Sequence, residues 1–474
     1  MNSGTVPMSI RFISIMILTL LGALPTFADD SPYEGLTLFN HLSTSNTTFL
    51  INNAGETVHT WTGDGVIAST PYLMKGGDLI RPCRAQLVRL NGTAAGGRIQ
   101  RISIEGQVVW DYVFSDSRNQ QHHDICVMPN GNILLVAWQL KTNAEGLAAG
   151  RLNLKGEIWP TQIVEIEPVG STSGNIVWRW ELWDHIVQNV NPSLPNFGIL
   201  SDYPERIDIN AGEIQNGDWI HVNALDYNPE LDQIVFSSNW LNEIFVIDHS
   251  TTTEEAAGST GGNSGMGGDI LFRWGNPGNY DRGDSSTQVL WNVHGVNWID
   301  PGLVGENRLL LFNNGNDDGT SDLIEFMPPL LSDLTYAMVP GDPFLPKRDD
   351  YDWFYEQDGF WGGHLCGVYR LPNGNTLATD GPGREIREIS PEGETIWVHF
   401  TDWAIMRADK YPMDILEPAV QCLGDMNGDG QVDGTDLSTL LAFWNLAGDA
   451  DLNSDGLIDG IDLTILLGHW GVCP

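Results

Sequence analysis

Basic residues are scarce in this chain: 23 Lys and Arg stand against 62 Asp and Glu, a formal charge of −39 over 474 residues. A surface so acidic is repelled by phosphate backbones and anionic headgroups, which argues against nucleic acid and anionic membranes as partners. Beyond the apolar run from Phe12 to Leu24 no segment is long and apolar enough to cross a bilayer. No GxxxxGK[ST] loop is present to cradle a nucleotide, and neither an HExxH pair nor a GxSxG elbow occurs. Cysteine is limited to five residues, an odd number, so at least one thiol is free unless it pairs with another chain.

What the chain does have is turns and aromatics: 53 Gly, 25 Pro and 18 Trp, with 18% charged residues, describe a folded, turn-rich protein. Arg11 precedes the Phe12–Leu24 run, and Thr26-Phe27-Ala28 carries small residues at the −3 and −1 positions of a cleavage site. Residues 1–28 therefore read as an export leader, with a secreted mature chain (extracellular, cell-surface or periplasmic). From 29 to 417 a glycine turn followed by a strand ending in an aromatic recurs as GETVHTW (55–61), GQVVWDY (106–112), GNIVWRW (174–180), GDILFRW (268–274) and GETIWVH (393–399). A second strand type appears as MPNGNILLV (128–136) and LPNGNTLAT (371–379). Short strands, Gly/Asn/Asp turns and little helical periodicity indicate an all-β repeat fold, best matched by a β-propeller with blades of about 40–50 residues. Trp178, Trp180, Trp274 and Trp397 are expected to pack between blades.

Residues 418–474 differ in kind. Two twelve-residue loops lie 451 − 425 = 26 residues apart, DMNGDGQVDGTD and DLNSDGLIDGID. The first places Asp425, Asn427, Asp429, the Gln431 carbonyl, Asp433 and Asp436 at loop positions 1, 3, 5, 7, 9 and 12; the second places Asp451, Asn453, Asp455, the Leu457 carbonyl, Asp459 and Asp462 on the same positions. An all-oxygen set of this spacing suits one Ca²⁺ per loop. After each loop the apolar residues fall at helical spacing, Leu437, Leu440, Leu441 and Trp444, then Leu463, Leu466, Leu467 and Trp470. With one helix per loop, this segment resembles a dockerin, a small α-helical calcium-binding module, which implies either docking to a cohesin-like protein or a calcium-stabilised cap. Nine Asp and no Lys or Arg lie between Cys422 and Cys473, so folding is expected to require the cation. The two cysteines bracket the repeats and could form a clasp, leaving Cys83, Cys126 and Cys366.

Four histidine-bearing segments hold one place relative to the strands: QQHHDICVMPNGN (His122, His123), WIHVNALDY (His221), NVHGVNWID (His294) and GGHLCGVYRLPNGN (His364). With GDILFRWGNPGNY, LLLFNNG and GREIREISPEGETIW, in this order, the chain resembles the arylsulfate sulfotransferase family. That resemblance implies a six-bladed propeller and sulfuryl transfer from an aryl sulfate to a phenol through a histidine intermediate, with no nucleotide cofactor. It also implies His364 as nucleophile, His221 and His294 on the sulfuryl oxygens or the leaving phenoxide, and Asn314 orienting the transferred group. His122 and His123 are as well suited to holding a turn, and Cys366 to being a small buried apolar group. The run FNNGNDDGTSD carries Asn313 where the family tends to have Asp, with no Arg nearby; Arg81, Arg84, Arg370 and Arg384 are candidate substitutes. No Cys-x-Pro-x-Arg segment supports the formylglycine route of sulfatases. The alternative is a non-catalytic propeller that binds an aromatic, sulfated, glycan or protein ligand.

Overall fold

The computed structural model describes residues 31–473 apart from 43–45, 87–88, 93, 213, 216, 316–319, 349, 419–422, 428–429, 449 and 454. The expected leader, Cys422 and Asp429 thus lie outside the described residues. Six four-stranded antiparallel sheets surround one axis. Blade one is assembled from both ends of the propeller: Asp409–Pro412 pairs with Gly35–Asn40, followed outward by Thr47–Ile51 and Thr57–Thr62. Blade two comprises Tyr72–Leu73, Leu79–Arg84, Gly97–Ile102 and Val108–Val113, and blade three Asn119–Val127, Ile133–Gln139, Thr161–Val169 and Ser173–Glu181. Blade four comprises Val222–Asn228, Gln233–Ser238, Glu243–Asp248 and Phe272–Trp274. Blade five has His294–Trp298, Leu309–Asn313, Asp322–Phe326 and Trp353–Glu356, and blade six Gly367–Arg370, Thr376–Asp380, Glu385–Ile389 and Thr395–Phe400.

Middle strands such as LLLFN and EIFVID are buried at every position, with apolar residues through their centres, because both faces press on neighbouring blades. The PNGN turns place Gly131 and Gly374 at φ +83° and +90°, left-handed backbone that only glycine enters freely. They close the same hairpin in blades three and six, with Met128 N–H bonded to the Asn132 carbonyl and Leu371 N–H to that of Asn375.

The recurring aromatic-ended motif is the outermost strand of blades one, two, three, four and six, and its tryptophan has a common task. Trp61 Nε1 donates to the Gly77 carbonyl, Trp110 to Ser173, Trp180 to Gly268, Trp274 to Pro346, and Trp397 to Asn53, each acceptor belonging to the next blade or the loop that covers it. Trp353 in blade five completes the circle with the Pro391 carbonyl. Each ring fills the wedge between two sheets while its one polar atom is satisfied across the seam.

Residues 434–442 and 460–468 form two helices, Gly434–Ala442 and Gly460–Gly468, and their residues Leu440 and Leu466 share a small core with Val432 and Ile458. Cys473 is disulfide-bonded, whereas Cys83, Cys126 and Cys366 are buried free thiols. Among the described residues no helix is long and apolar enough to cross a membrane.

Trp110→Phe keeps most of the ring but strands the Ser173 carbonyl, and is expected to cost about 1–3 kcal/mol. The check is urea unfolding beside Trp403→Phe, an exposed position expected to change stability by less than about 0.5 kcal/mol.

Candidate active site

The innermost strands of blades three to six begin at the same mouth of the central channel, and each begins irregularly. Pairing slips between Gln121 and Ile125, Val222 and Ala224, and His294 and Asn297. His123, His221, Gly295 and Cys366 all take positive φ there. Such bulges re-aim side chains away from the sheet, and non-glycine residues hold left-handed backbone only where their surroundings enforce it. At Gly295 a Cβ would stand 2.7 Å from the Gly367 Cα of the next blade, so only glycine lets blades five and six approach.

Imidazoles from four blades gather at this mouth. The His123 and His221 rings meet edge to face with centroids 4.5 Å apart, and His221 lies flat on Trp240 at 4.8 Å. His294 feels the charge of both His221 and His364. His364 itself sits exposed in the turn before Gly367–Arg370.

Asn314 ties two of these groups together. Its Oδ1 lies 2.7 Å from His294 Nδ1, while its Nδ2 donates to the Gly362 and Leu365 carbonyls, on either side of His364. Since the second neighbour of His294 Nδ1 is also a carbonyl, that of Asn292 at 2.8 Å, the proton resides on Nδ1 and the Nε2 lone pair is open. Burial, against these two hydrogen bonds, pushes His294 down to about 4, so it is neutral at physiological pH. Asn314 is fully buried, with its amide oxygen on the His294 ring and its nitrogen on the backbone either side of His364.

His221 is held differently. Its Nδ1 lies 2.6 Å from Asp218 Oδ2, and Trp138 Nε1 donates to Asp218 Oδ1 at 2.8 Å. His122 stacks on that same Trp138 ring at 4.0 Å, and its Nδ1 meets His123 Nδ1 at 2.7 Å. Burial pushes both His122 and His123 well below 6.5. Sequence reasoning missed Asp218, although it stands three residues before His221, because its partnership depends on the positive φ of Ile220 and His221, which bends the segment back.

Next to His123 along the chain, Asp124 holds a buried ion pair. Arg407 donates to both oxygens of Asp124 at 2.7 and 2.8 Å and to the Tyr72 hydroxyl at 2.7 Å, bridging blades one, two and three. At the far end a cavity of about 660 Å³ is lined by Asp226, Asp300, Asp409, Tyr369 and Tyr411, and by Lys75, Arg370 and Lys410, which pair with Asp414, Glu325 and Glu388. Burial first, then the Asp300 charge, pushes Asp226 up to about 7. The gathering of four imidazoles makes the histidine mouth the candidate site.

Among the described residues, none of the four candidate arginines hydrogen-bonds a histidine of this mouth, and of the four only Arg370 is ion-paired. Arg81 is buried on the Asn46 and Gly65 carbonyls and Gln100; Arg84 bonds Asn91; Arg370 pairs with Glu325 and lines the far cavity; Arg384 bonds the Asp402 carbonyl. Burial raises the Cys366 thiol, which suits a packing role.

In the tail, Asp436 accepts from the Met426, Asn427 and Asp433 amides, and Asp462 from those of Asn453 and Asp459. Asp433 and Asp459 cap the two helices, in matching capping boxes with Asp436 and Asp462. Asp425 and Asp451 accept from the Gly430 and Gly456 amides, both glycines being left-handed. Among the described residues no group of three or more His, Cys, Asp or Glu side chains is gathered to hold a metal ion. The oxygen-only donor chemistry of both loops nonetheless fits a hard cation.

Residues 26–326, more than half of the chain, match the arylsulfotransferase (ASST) family. The chain belongs to that family, whose substrates are aryl sulfates and phenols. The match takes in His221, His294 and Asn314 and ends before His364. No curated protein matches. Solved structures that resemble the chain include a protein of unknown function from Bacteroides caccae (11% identity, TM-score 0.42, covering 80% of this chain and 99% of that one). Others are a protein from Lactobacillus plantarum (9%, TM-score 0.40, 80% and 99%) and virginiamycin B lyase from Staphylococcus aureus (13%, TM-score 0.34, 81% and 85%). Nothing about function is drawn from likenesses this distant.

Unfolded imidazoles take up protons near pH 6.5 that the folded His122, His123 and His294 refuse. The unfolded state therefore binds more protons between pH 6.5 and about 4, and stability falls as pH falls through that window. His122→Phe, which preserves stacking on Trp138, is expected to flatten the dependence of the melting temperature on pH there.

Proposed function

We propose that the propeller transfers a sulfuryl group from an aryl sulfate to a phenol by double displacement, with His364 as the nucleophile. The observation that carries this reading is the meeting of His221, His294 and His364 at one mouth, with Asn314 bonded to His294 and to the turn that bears His364. A neutral imidazole is a competent nucleophile near pH 7, and exposure gives His364 the access that attack requires. In the first half, a ring nitrogen of His364 forms the N–S bond as the S–O bond to the aryl group breaks. In the second, the acceptor oxygen forms a new S–O bond and the N–S pair returns to His364. Trp240, stacked on His221, and the half-exposed Trp361, near Gly363, offer aromatic faces for the rings of donor and acceptor.

The test is release of nitrophenolate from 4-nitrophenyl sulfate. Release that requires added phenol, and that falls at least 10³-fold in His364→Ala, is the expected outcome. Release without acceptor would mean hydrolysis, and silence from folded protein would favour a binding module.

The tail we read as a dockerin-like module holding two Ca²⁺ through Asp425, Asn427, Asp429, Gln431, Asp433 and Asp436 and through Asp451, Asn453, Asp455, Leu457, Asp459 and Asp462. Leu441, Phe443, Ile461, Leu467 and Trp470, each about half exposed, supply an apolar surface for a cohesin-like protein. Export to an oxidising compartment is supported by the disulfide at Cys473. Resistance of the tail to proteolysis should rise with CaCl₂ and be lost in EGTA, with the propeller indifferent to both; equal resistance in the two conditions would remove calcium from this reading.

A further inference from the structure

An anionic ester bound at the histidine mouth needs a positive charge, and the charge inventory there is short. The protein carries −39 overall, Arg407 is paired with Asp124 and Arg370 with Glu325, and the Arg81, Arg84 and Arg384 side chains are bonded to neutral groups other than the histidines. His122, His123 and His294 are neutral. His221 has a carboxylate in hydrogen-bonding contact, whereas Asp380 feels His364 only through space.

We propose that Asp218 is a positioning residue that sets the charge and tautomer of His221: the buried carboxylate holds its Nδ1–H, so that Nε2 presents a second proton toward the sulfuryl oxygens and the departing phenoxide. His294 has the opposite assignment, with an Nδ1–H given to two carbonyl oxygens and an Nε2 that accepts. The contrast is one of partner chemistry. A carboxylate at 2.6 Å compensates a ring charge, whereas the Asn314 and Asn292 oxygens fix a tautomer without compensating one. Asp218 is itself held, with 3% of its side chain exposed and its other oxygen on Trp138 Nε1, so the carboxylate cannot swing away. The titratable groups facing His221 are Asp218, His122, His123 and His294, and its flat face is covered by Trp240. The three imidazoles, being neutral, leave Asp218 as the one charged neighbour among them.

The role rests on the transfer reading and balances within it. As the S–O bond to the donor aryl group breaks, its electron pair stays on the phenoxide oxygen, which takes the Nε2 proton and leaves His221 neutral. In the second half His221 Nε2 receives the proton of the acceptor phenol as that oxygen bonds to sulfur. No proton, electron or co-reactant is needed from outside. Asp218 touches no substrate; it is a positioning residue that sets the tautomer and charge of His221.

Two measurements separate this inference from the activity on which it builds. The first needs no turnover: binding of the unreactive anion 4-toluenesulfonate, by calorimetry, should weaken as pH rises from 6 to 8. In Asp218→Asn that pH dependence should disappear, with affinity at pH 6 at least tenfold lower. Long-range ¹H–¹⁵N spectra of the same samples should show His221 protonated on both nitrogens in the complex at pH 6 and His294 on Nδ1 alone. Arg348→Ala removes an exposed guanidinium lying 5.6 Å from the Trp291 ring, the rival cation, and should leave toluenesulfonate affinity unchanged. The second uses leaving groups. Without the Nε2 proton a poor leaving group suffers more, so Asp218→Asn should slow phenyl sulfate at least tenfold more than 4-nitrophenyl sulfate; a fold defect would slow both alike. Should Asp218→Asn not fold, His221→Gln keeps a donor without the charge and is expected to show the same loss of pH dependence. Toluenesulfonate binding that is independent of pH in the wild type, or unchanged in Asp218→Asn, overturns the inference. Binding as expected without turnover sustains it and overturns the transfer reading alone.

Discussion

Every seam of this propeller is crossed by an indole N–H that reaches a carbonyl in the following blade. The bond is directional and at least partly buried, so it does more than fill space: it sets the angle and height at which one sheet meets the next. Because six such contacts run around a closed ring, an error at one seam cannot be taken up at another. The inner strands are consequently held rigidly relative to one another, and only a rigid frame can bring side chains from four separate sheets to one point within hydrogen-bonding tolerance.

That point differs from the rest of the molecule in charge. At one end of the channel are imidazoles, an amide brace and the carboxylates of Asp218, bonded to His221, and Asp380, near His364; at the other, carboxylates in a cavity that burial makes reluctant to ionise. Arg407, paired with Asp124, lies between them. The global charge of −39 repels an anionic donor at long range, so recognition must come from contacts within a Debye length of the mouth, about 8 Å at physiological salt.

Much of the architecture was legible because the same local physics recurs in each blade. The Gly-turn-aromatic motif marked the outermost strand wherever it was recognised, and PNGN marked one hairpin twice. Blade five escaped because residues 327–352 separate its third strand from Trp353–Glu356, placing the tryptophan at the start of the strand instead of its end. His221, His294 and His364 stood out by position relative to the strands. The partners that give them character did not. Asn314 was visible as a residue but not as a brace, since its acceptor at Leu365 lies 51 positions away. Asp218 was hidden by a left-handed bend, and Arg407 by the 283 positions that separate it from Asp124. Long-range pairings of this kind leave no periodic trace. In the tail the repeat was plain, yet Asp433, Asp436, Asp459 and Asp462 also have a second employment as helix caps, which the loop pattern alone does not reveal.

The pairing of Gly35 with Pro412 sets a schedule for the making of the molecule. These residues are 412 − 35 = 377 positions apart, and neither end of blade one has its neighbour until the chain between them is complete. Blades two to six can condense in order as they emerge, but the circle stays open, with the edge of Gly35–Asn40 unpaired, until the last of them is finished. During that interval the exposed edge is a template for any other extended chain. Chains that each carry −39 repel one another, which opposes pairing between copies while that edge is open.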